Sequence, residues 1–458
     1  MIFLHELGGI LALSIAFALV FLLGEFLRRK VKISPEASRK TVHIGGCLVA
    51  LTLPAALKSH WSVLVMAIFA TLAILVGKRR RLLPSLDDVT RETRGSIYHP
   101  IAIYLCFLVA QLLQRPSYFV IAMLVMGLSD SIAALTGVAY GRKKYLVEGA
   151  DTKSIEGSVC FFLSTFIIVE IALLLFSPDG RLDCILVALL IAILVTMFEA
   201  ISLQGADNLA VPLGTIFILA KNTPPDTSAI LIQFAVLAIA LLYAAVVAYP
   251  FAKVSSTGVL SMALAIYTAG GLVNYRWMLP MAVASFAFCQ TRWFIQEGTP
   301  PNRARPAFYL LVVPIFWILC ANFLMKKAAS PELASPNWLF PSFITAVISQ
   351  MLLSRRNNAL ARHHAYGTIQ LLRDTVLLNL PILVGGAFLA RDAPGEMFVF
   401  CLLSAFLDFM VVQCFAWLQR RKAFVDECYI LRVRMLLVFA ASLVLAIAML
   451  QWRLACRN

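Results

Sequence analysis

One acidic side chain stands inside an apolar stretch that is long enough to cross a membrane. Asp130 lies within 117–139, and small residues that include Gly137 and Gly141 follow it at helical spacing on the same face. Burying a carboxylate within a membrane span costs free energy, so Asp130 is a candidate functional residue. Coordination of Mg²⁺ is the best physical use of this side chain. The alternative is a structural hydrogen bond between helices. The small residues let either a neighbouring helix or the phosphate of a ligand approach closely.

A basic loop follows this stretch and leads into the next apolar one. Its candidate anion-binding residues are Arg142, Lys153, Ser154, Glu156, Gly157 and Ser158. Thr152 or Ser154 can cap the following helix, whose first N–H groups and dipole would then bind phosphate together with Lys153. A basic loop with an ordinary helix cap is the alternative interpretation.

Two further clusters have residue types suited to phosphate chemistry. In the first, Arg39, Lys40 and His43 precede an apolar stretch, where cations either bind nucleotide or lipid phosphate or simply flank a membrane span. In the second cluster, Glu199 is followed by Asp207 and Asn208. These acids predict a second metal-binding or phosphate-orienting site, unless Asp207 only caps a helix.

The elements that carry these residues are membrane-spanning helices. Hydrophobic residues make up 61% of the chain, and apolar runs of spanning length recur along it. We predict an all-α, polytopic transmembrane bundle of about 16 spans, within a range of 14 to 18, because helices satisfy their own backbone in lipid. The first eight are 7–27, 44–57, 60–77, 97–114, 117–139, 158–176, 184–202 and 208–220, and the others lie between 227 and 452.

The distribution of basic residues predicts the orientation of the bundle. With an outer N-terminus, 29 of the 39 Lys and Arg residues fall in inner loops. The positive-inside rule then places both termini on the non-cytoplasmic side and all four clusters on the cytoplasmic side. This topology, together with attraction to anionic lipid, accounts for the net charge of +15 and requires no nucleic acid.

A turn-rich segment at 221–228 predicts a boundary between two membrane domains. All four clusters lie in the first, 1–222, whereas the second, 228–458, has an uncertain role. Asp408 and the pair Arg373–Asp374 are the only further candidates for chemistry in the second half. The ten cysteines are scattered without the spacing of a zinc site or a disulfide framework.

The four clusters resemble the motifs of the CTP-dependent lipid alcohol kinases, a group that includes phytol, dolichol and diacylglycerol kinases. The resemblance covers about 25–220 and rests on motifs in matching order. They are Arg39-Lys40-x-x-His43, Asp130 with Gly137 and Gly141-Arg142, Lys153-Ser154-x-Glu156-Gly157-Ser158, and Glu199 with Asp207-Asn208-x-x-Val-Pro212-Leu. The last motif is most similar to the phytol kinase branch.

The resemblance implies transfer of the γ-phosphoryl group of a nucleoside triphosphate, with CTP as donor, to a membrane-dissolved alcohol. It implies that Asp130 and Asp207 bind Mg²⁺, and that Arg39, Lys40 and Lys153 bind the oxygens of the triphosphate. Glu199 or Asp207 would accept the proton of the alcohol. The active site would face the cytoplasm from a bacterial cytoplasmic membrane or from a eukaryotic endoplasmic reticulum or plastid membrane. The oligomeric state is not indicated.

Two alternatives stay open at this point. Ser129 stands where the kinase group has glycine, and Ser-Asp followed by a basic loop also resembles the CDP-diacylglycerol synthases, which are cytidylyltransferases. An ion-coupled transporter of lipids or solutes would also use intramembrane acids. In the second half, 255–294 weakly resembles a family associated with phytyl-phosphate kinase activity.

Overall fold

The computed structural model describes residues 2–80, 95–148, 151–177, 180–202, 205–248, 256–273, 277–282, 304–327, 336–361, 366–389, 394–421 and 427–455. These residues are almost entirely helical, which confirms the prediction of an all-α bundle. The chain divides into two compact units, Met1–Ile232 and Gln233–Asn458. The functional division predicted at 221–228 stays a prediction.

Many of the described helices are suited to a membrane. Nine of them are long and apolar enough to span it, and three shorter helices are also apolar. The nine are Glu6–Val31, His60–Arg79, Gly95–Leu112, Pro116–Tyr140, Ile155–Phe176, Arg181–Ile201, Thr227–Val246, Leu402–Gln419 and Arg432–Trp452. The predicted total of spans stays a prediction, since most of the predicted span 277–296 lies outside the described residues.

The first unit consists of helices that pack mainly on their neighbours in sequence. They are α1 Ile2–Phe26, α2 Pro35–Ala50, α3 Leu53–Ala56, α4 His60–Arg79, α5 Gly95–Leu112, α6 Pro116–Leu124, α7 Asp130–Tyr140, α8 Ile155–Phe176, α9 Arg181–Ile201 and α10 Asp207–Lys221, and α11 Thr227–Tyr243 begins in this unit. Helix α9 lies between α8 and α10 and is largely buried, and α10 packs on α5. In contrast, α1 exposes much of its apolar surface, as expected for a helix in contact with lipid.

Helix α2 begins earlier than the predicted span at 44. Ser34 caps it by accepting a hydrogen bond from the backbone N–H of Ala37 at 3.2 Å, and Pro35 occupies the first helical position. This combination of cap and proline is a strong start signal for a helix. The basic motif that begins at Arg39 therefore lies inside a helix, one turn from its start, and not in front of it.

The predicted basic loop contains a two-stranded antiparallel hairpin, β1 Lys144–Glu148 and β2 Asp151–Ser154, which the sequence pattern did not indicate. Strands of five and four residues are too short to show a clear alternation of apolar and polar positions. Of the two possible caps for α8, the structure selects Ser154, whose hydroxyl accepts from the backbone N–H of Gly157 at 3.1 Å.

Helices α7 and α8 cross closely where both carry glycine. A Cβ atom at Gly157 would lie 2.9 Å from the backbone oxygen of Ala133 and 3.4 Å from the Cα atom of Gly137. Small residues at a helix crossing allow this approach. The crossing fixes the hairpin next to the end of α7, because Ser154 lies against Gly137 and Gly141.

The second unit is built from α12 Ser256–Tyr267, α13 Ala304–Lys327, α14 Phe340–Ala361, α15 Thr368–Leu389, α16 Pro394–Arg421 and α17 Glu427–Ala455. Helix α14 is buried on every side from 341 to 353. Its polar side chains pair within the bundle, as Thr345 does with Ser404 at 2.7 Å and Ser349 with Asp408 at 2.5 Å. Asp408 also accepts from Asn379 at 3.3 Å.

We predict that Gly157→Ala lowers the free energy of unfolding by about 1–3 kcal/mol, because the added methyl group meets a backbone oxygen that cannot move away. Thermal unfolding in detergent measures the effect. Gly8→Ala is the matched control, since no atom lies within 4 Å of a Cβ at that position of α1. Equal melting temperatures for the two variants would contradict the close crossing.

Candidate active site

Asp130 enters the site from an irregular part of its helix. Between α6 and α7 the backbone forms a π-helical turn, Val125–Ser129, which ends directly at Asp130. Wide turns of this kind leave carbonyl groups free for other partners and are frequent at functional sites. Here the ring nitrogen Nε2 of His43 donates to the backbone oxygen of Met126 at 2.9 Å. The π-helical turn thus joins α2 to the helix that carries Asp130.

A buried ion pair holds Asp130 in place. The ammonium group of Lys40 lies 2.5 Å from Oδ2 of Asp130, and Nε2 of His43 lies 3.3 Å from the same oxygen. Lys40 and His43 are three residues apart, so they project from one face of α2. The side chains of Lys40 and Asp130 are only 3% and 12% exposed. Arg39, one turn before His43 on the same helix, pairs with Glu36 at 2.5 Å.

A second ion pair joins the hairpin to the end of α9. The ammonium group of Lys153 lies 2.7 Å from Oε1 of Glu199 and also donates to the backbone oxygen of Glu199. Burial opposes the charged form of Lys153, but the Glu199 carboxylate outweighs it and raises the pKa of Lys153 above its ordinary value. Lys153 therefore stays positively charged across the physiological range.

The hydroxyl groups around Glu199 complete this second cluster. Ser158 lies 3.5 Å from Oε2 of Glu199 and 2.8 Å from the phenol oxygen of Tyr145. Burial and the nearby Glu199 carboxylate both raise the pKa of Tyr145, so its hydroxyl stays protonated. Glu156 lies apart from the pair and accepts from the backbone N–H of Lys143 at 3.2 Å.

Asp207 and Asn208 begin α10 beside these two pairs. Asp207 is the first residue of the helix, where its negative charge is favoured by the helix dipole. It forms no ion pair with any described residue, but its charge interacts favourably with both Arg39 and Lys153. Asn208 donates to the backbone oxygen of Gly95 at 3.0 Å and so ties α10 to the start of α5.

The remaining predicted residues occupy the edge of the site. The close packing of α7 against α8 and Ser154 depends on three glycines, Gly137, Gly141 and Gly157. The side chain of Arg142 is exposed. The role of these residues in binding phosphate stays a prediction. The roles of the other members of the four clusters also stay predictions. The structure does bring the three acids Asp130, Glu199 and Asp207 close enough to influence one another electrostatically.

One residue of this region was missed by the motif patterns. The ring of His99, near the start of α5, lies 4.7 Å from the ring of His43 at a tilt of 55°, and His99 lines a pocket together with Arg39, His43 and Asn208. A histidine in an otherwise apolar span is itself a signal of function, because ionisable side chains are costly there. This signal was available in the sequence but is not part of any of the four clusters.

The candidates of the second half have structural partners. Asp374 pairs with Arg373 at 3.2 Å and with Arg355 at 3.6 Å, and it accepts from the hydroxyl of Tyr366. Asp408 accepts hydrogen bonds from two neutral side chains of the described residues, Ser349 and Asn379. The cations around Asp374 are partly exposed, unlike Lys40 and Lys153 of the first unit.

Comparison with known proteins covers the same segment as the four clusters. A family model described as the cytidylyltransferase family matches residues 1–201. Phytol kinase of Synechocystis is 34% identical over 200 residues, which are 43% of this chain and 84% of that protein. Probable phytol kinase 2, chloroplastic, of Glycine max is 26% identical over 215 residues, or 44% of this chain and 70% of the relative.

The chain belongs to the phytol kinase group of the CTP-dependent lipid alcohol kinases. Probable phytol kinase, chloroplastic, of Zea mays agrees with this assignment at 27% identity over 222 residues, which are 44% of this chain and 72% of the relative. The resemblance to the lipid alcohol kinases is thereby confirmed and favoured over the cytidylyltransferase and transporter alternatives. No solved structure matches the chain significantly.

We predict that Lys40→Met lowers the free energy of unfolding by about 3–5 kcal/mol, because it leaves the Asp130 carboxylate buried without its cation. The double variant Lys40→Met/Asp130→Asn should recover most of this loss, since neither charge then remains. Thermal unfolding of the two single variants and the double variant in detergent gives the coupling between the two residues.

The control for this prediction is Arg29→Met. It removes an ion pair with Glu25 in which the arginine side chain is 58% exposed, and we expect it to change stability by less than about 1 kcal/mol. Losses that simply add in the Lys40→Met/Asp130→Asn variant would contradict a direct buried pair.

Proposed function

We propose that the protein transfers the γ-phosphoryl group of CTP to the hydroxyl group of a membrane isoprenoid alcohol of the phytol type. The observation that carries this proposal is the meeting of two buried charge clusters, Lys40–Asp130–His43 and Lys153–Glu199, within the segment that matches the phytol kinases. Phosphoryl transfer depends mainly on positioning and on neutralising the charge of the phosphates. Buried cations next to carboxylates that can hold a metal serve both needs.

Lys40, Lys153 and Arg39 are the groups we assign to the triphosphate. Each of them pairs with a carboxylate at 2.5 to 2.7 Å, so the site is close to electrically neutral by itself. A bound nucleotide would bring its own negative charge and its own cation, which can replace these pairings without leaving a charge buried alone. Glu199 is engaged by Lys153 and Ser158, and we assign it to positioning Lys153.

The carboxylates fit a magnesium ion. Mg²⁺ prefers hard oxygen ligands from one or two carboxylates together with phosphate oxygens. Asp207 has no ion-pair partner among the described residues, and the Lys40 contact of Asp130 uses Oδ2. We therefore assign Mg²⁺ to Asp130 and Asp207. When bound, the ion would neutralise the developing charge on the β- and γ-phosphate oxygens.

We place the active site on the cytoplasmic face of a membrane. The charge clusters lie at the start of α2, in the hairpin, at the end of α9 and at the start of α10. The basic segments 28–32 and 142–144 adjoin the same elements, and such segments stay on the cytoplasmic side. A bacterial cytoplasmic membrane, or a plastid or endoplasmic reticulum membrane, supplies CTP to this face and the alcohol from within the bilayer.

We expect the purified protein in detergent, given Mg²⁺, CTP labelled at the γ-phosphate and phytol, to form labelled phytyl phosphate. Asp130→Asn should lower kcat by at least about 100-fold, the size expected when a group that stabilises the transition-state charge is lost. Thin-layer chromatography of the extracted lipid measures the product. Geranylgeraniol, a long polyprenol and diacylglycerol are tested in parallel to define the acceptor.

Asp183→Asn is the matched control for this assay. Asp183 lies at the start of α9, about 24 Å along the helix from Glu199 by the helical rise per residue, and accepts from the hydroxyl of Thr227 at 2.6 Å. It should retain full activity. The kinase assignment would be overturned in favour of cytidylyl transfer by one result. In that result, lipid is labelled when the protein receives phosphatidate and CTP labelled at the α-phosphate, but not when it receives CTP labelled at the γ-phosphate.

A further inference from the structure

A pocket opens beside the Lys40–Asp130–His43 cluster. One of its walls is hydrocarbon, made by Phe17, Val20 and Phe21 of α1 and by Ile74 of α4. The three residues of α1 are spaced as i, i+3 and i+4, so they form one face of that helix. The opposite side of α1 exposes large apolar residues, which face lipid in a membrane-spanning helix. The apolar wall is therefore reached from the bilayer more readily than from water.

The other end of the same pocket is polar. Arg39, His43 and Asn208 line it, together with His99 and Ser96. Arg39 and His43 belong to the site that we assign to the triphosphate and to Asp130. A molecule that fills the pocket would thus have its hydrocarbon part against α1 and its polar end at the phosphate site. An isoprenoid alcohol has this distribution of apolar and polar groups, whereas a nucleotide does not.

His99 has an unused hydrogen-bonding capacity at the polar end. Both of its ring nitrogens are shielded from solvent, and neither has a hydrogen-bond partner among the described residues. A buried polar group without a partner costs about 1–3 kcal/mol, so a ligand that supplies the partner is favoured by this amount. Gly46 leaves room for the ring, because a Cβ atom there would lie 3.1 Å from Nε2 of His99.

We propose that this pocket is the acceptor site for the isoprenoid alcohol, and that His99 binds the hydroxyl group and takes up its proton. The proposal rests on the kinase function proposed above. The alcohol oxygen forms a bond to the γ-phosphorus as the bond from that phosphorus to the β,γ-bridging oxygen breaks. The electron pair of the broken bond leaves with CDP, and the hydroxyl proton passes to a neutral ring nitrogen of His99.

A metal ion is the competing occupant at this end of the pocket. Ligand atoms of His43, Cys47 and His99 all lie within 4.8 Å of one another. The Nε2 atom of His43 donates to Met126 and contacts Asp130, so it carries a proton, and Nδ1 is the nitrogen of this ring that a metal would use. The hydrocarbon wall of Phe17, Val20 and Phe21 matches an isoprenoid alcohol and offers no ligand to an ion, and a zinc measurement decides between the two occupants.

The apolar wall is tested by its effect on the KM for the alcohol. The variant Phe17→Gln/Phe21→Gln should raise the KM for phytol at least about 10-fold and leave the KM for CTP within about twofold, because only the hydrocarbon contact changes. Leu22→Gln is the matched control, since Leu22 lies on the same helix but is 64% exposed outside the pocket. An unchanged KM for phytol in the double variant would overturn the acceptor site.

The role of His99 is tested by the pH profile of His99→Gln. Loss of a general base should lower kcat by about 100-fold or more. In the wild type, kcat should decrease as the pH falls, because the imidazole becomes protonated. This decrease should be absent in His99→Gln. A His99→Gln variant that keeps the wild-type pH profile overturns the proton transfer. Stoichiometric zinc in the purified wild type that is lost in His99→Gln overturns it as well.

A binding measurement that does not require catalysis separates this proposal from the proposed function. An isoprenoid alcohol that carries a photoreactive diazirine on its chain should label the peptide containing 17–21, without CTP, and excess phytol should compete. Labelling elsewhere in a protein that phosphorylates phytol overturns the acceptor site and leaves the kinase intact. A wild type without kinase activity overturns the proposed function, whereas labelling of 17–21 supports the alcohol site in either case.

Discussion

The structure of the first unit depends on the buried ion pair between Lys40 and Asp130. Two opposite charges in an apolar bundle are tolerable only when they remain in contact, because separating them leaves each one desolvated without compensation. This requirement fixes α2 against the helix that carries Asp130. The His43 contact with Met126 reinforces the same arrangement through the π-helical turn. The orientation of α2 is thus set by charge, whereas the neighbouring helices are positioned mainly by apolar packing.

The long spans of the first unit were predictable from the sequence because hydrophobic runs of fixed length are a strong signal, whereas the predicted span 44–57 falls across the end of α2 and α3. The four clusters were also recognisable as residue types, but their pairings were not. Nothing in the spacing of Lys40 and Asp130, 90 residues apart, indicates that they touch, since that contact depends on how whole helices pack. The hairpin that positions Lys153 was missed for a similar reason, because its stability comes from contacts with α7 and α8 more than from its own propensity.

The two units solve the problem of buried polar groups in different ways. In the second unit, Asp408 has the neutral partners Ser349 and Asn379, and such a network can remain satisfied without any ligand. The ion pairs of Asp374 there use arginines whose side chains are partly exposed. The first unit instead buries both members of the pairs Lys40–Asp130 and Lys153–Glu199. Such pairs are costly to bury and contribute little net stability, so they are better explained by a ligand that carries several charges of its own.

A lipid alcohol kinase must bring together a substrate that dissolves in water and one that dissolves only in the bilayer. In the proposed site the charge clusters serve the first requirement, since Lys153, Glu199 and Asp207 lie in the hairpin or at helix ends, where polar ligands can enter. The apolar face of α1 meets the second, because it joins the lipid-facing surface to the polar end of the pocket. Both routes converge between His99 and Arg39. The hydroxyl group is the only polar part of an isoprenoid alcohol, so a single unsatisfied histidine at that point is sufficient to orient it.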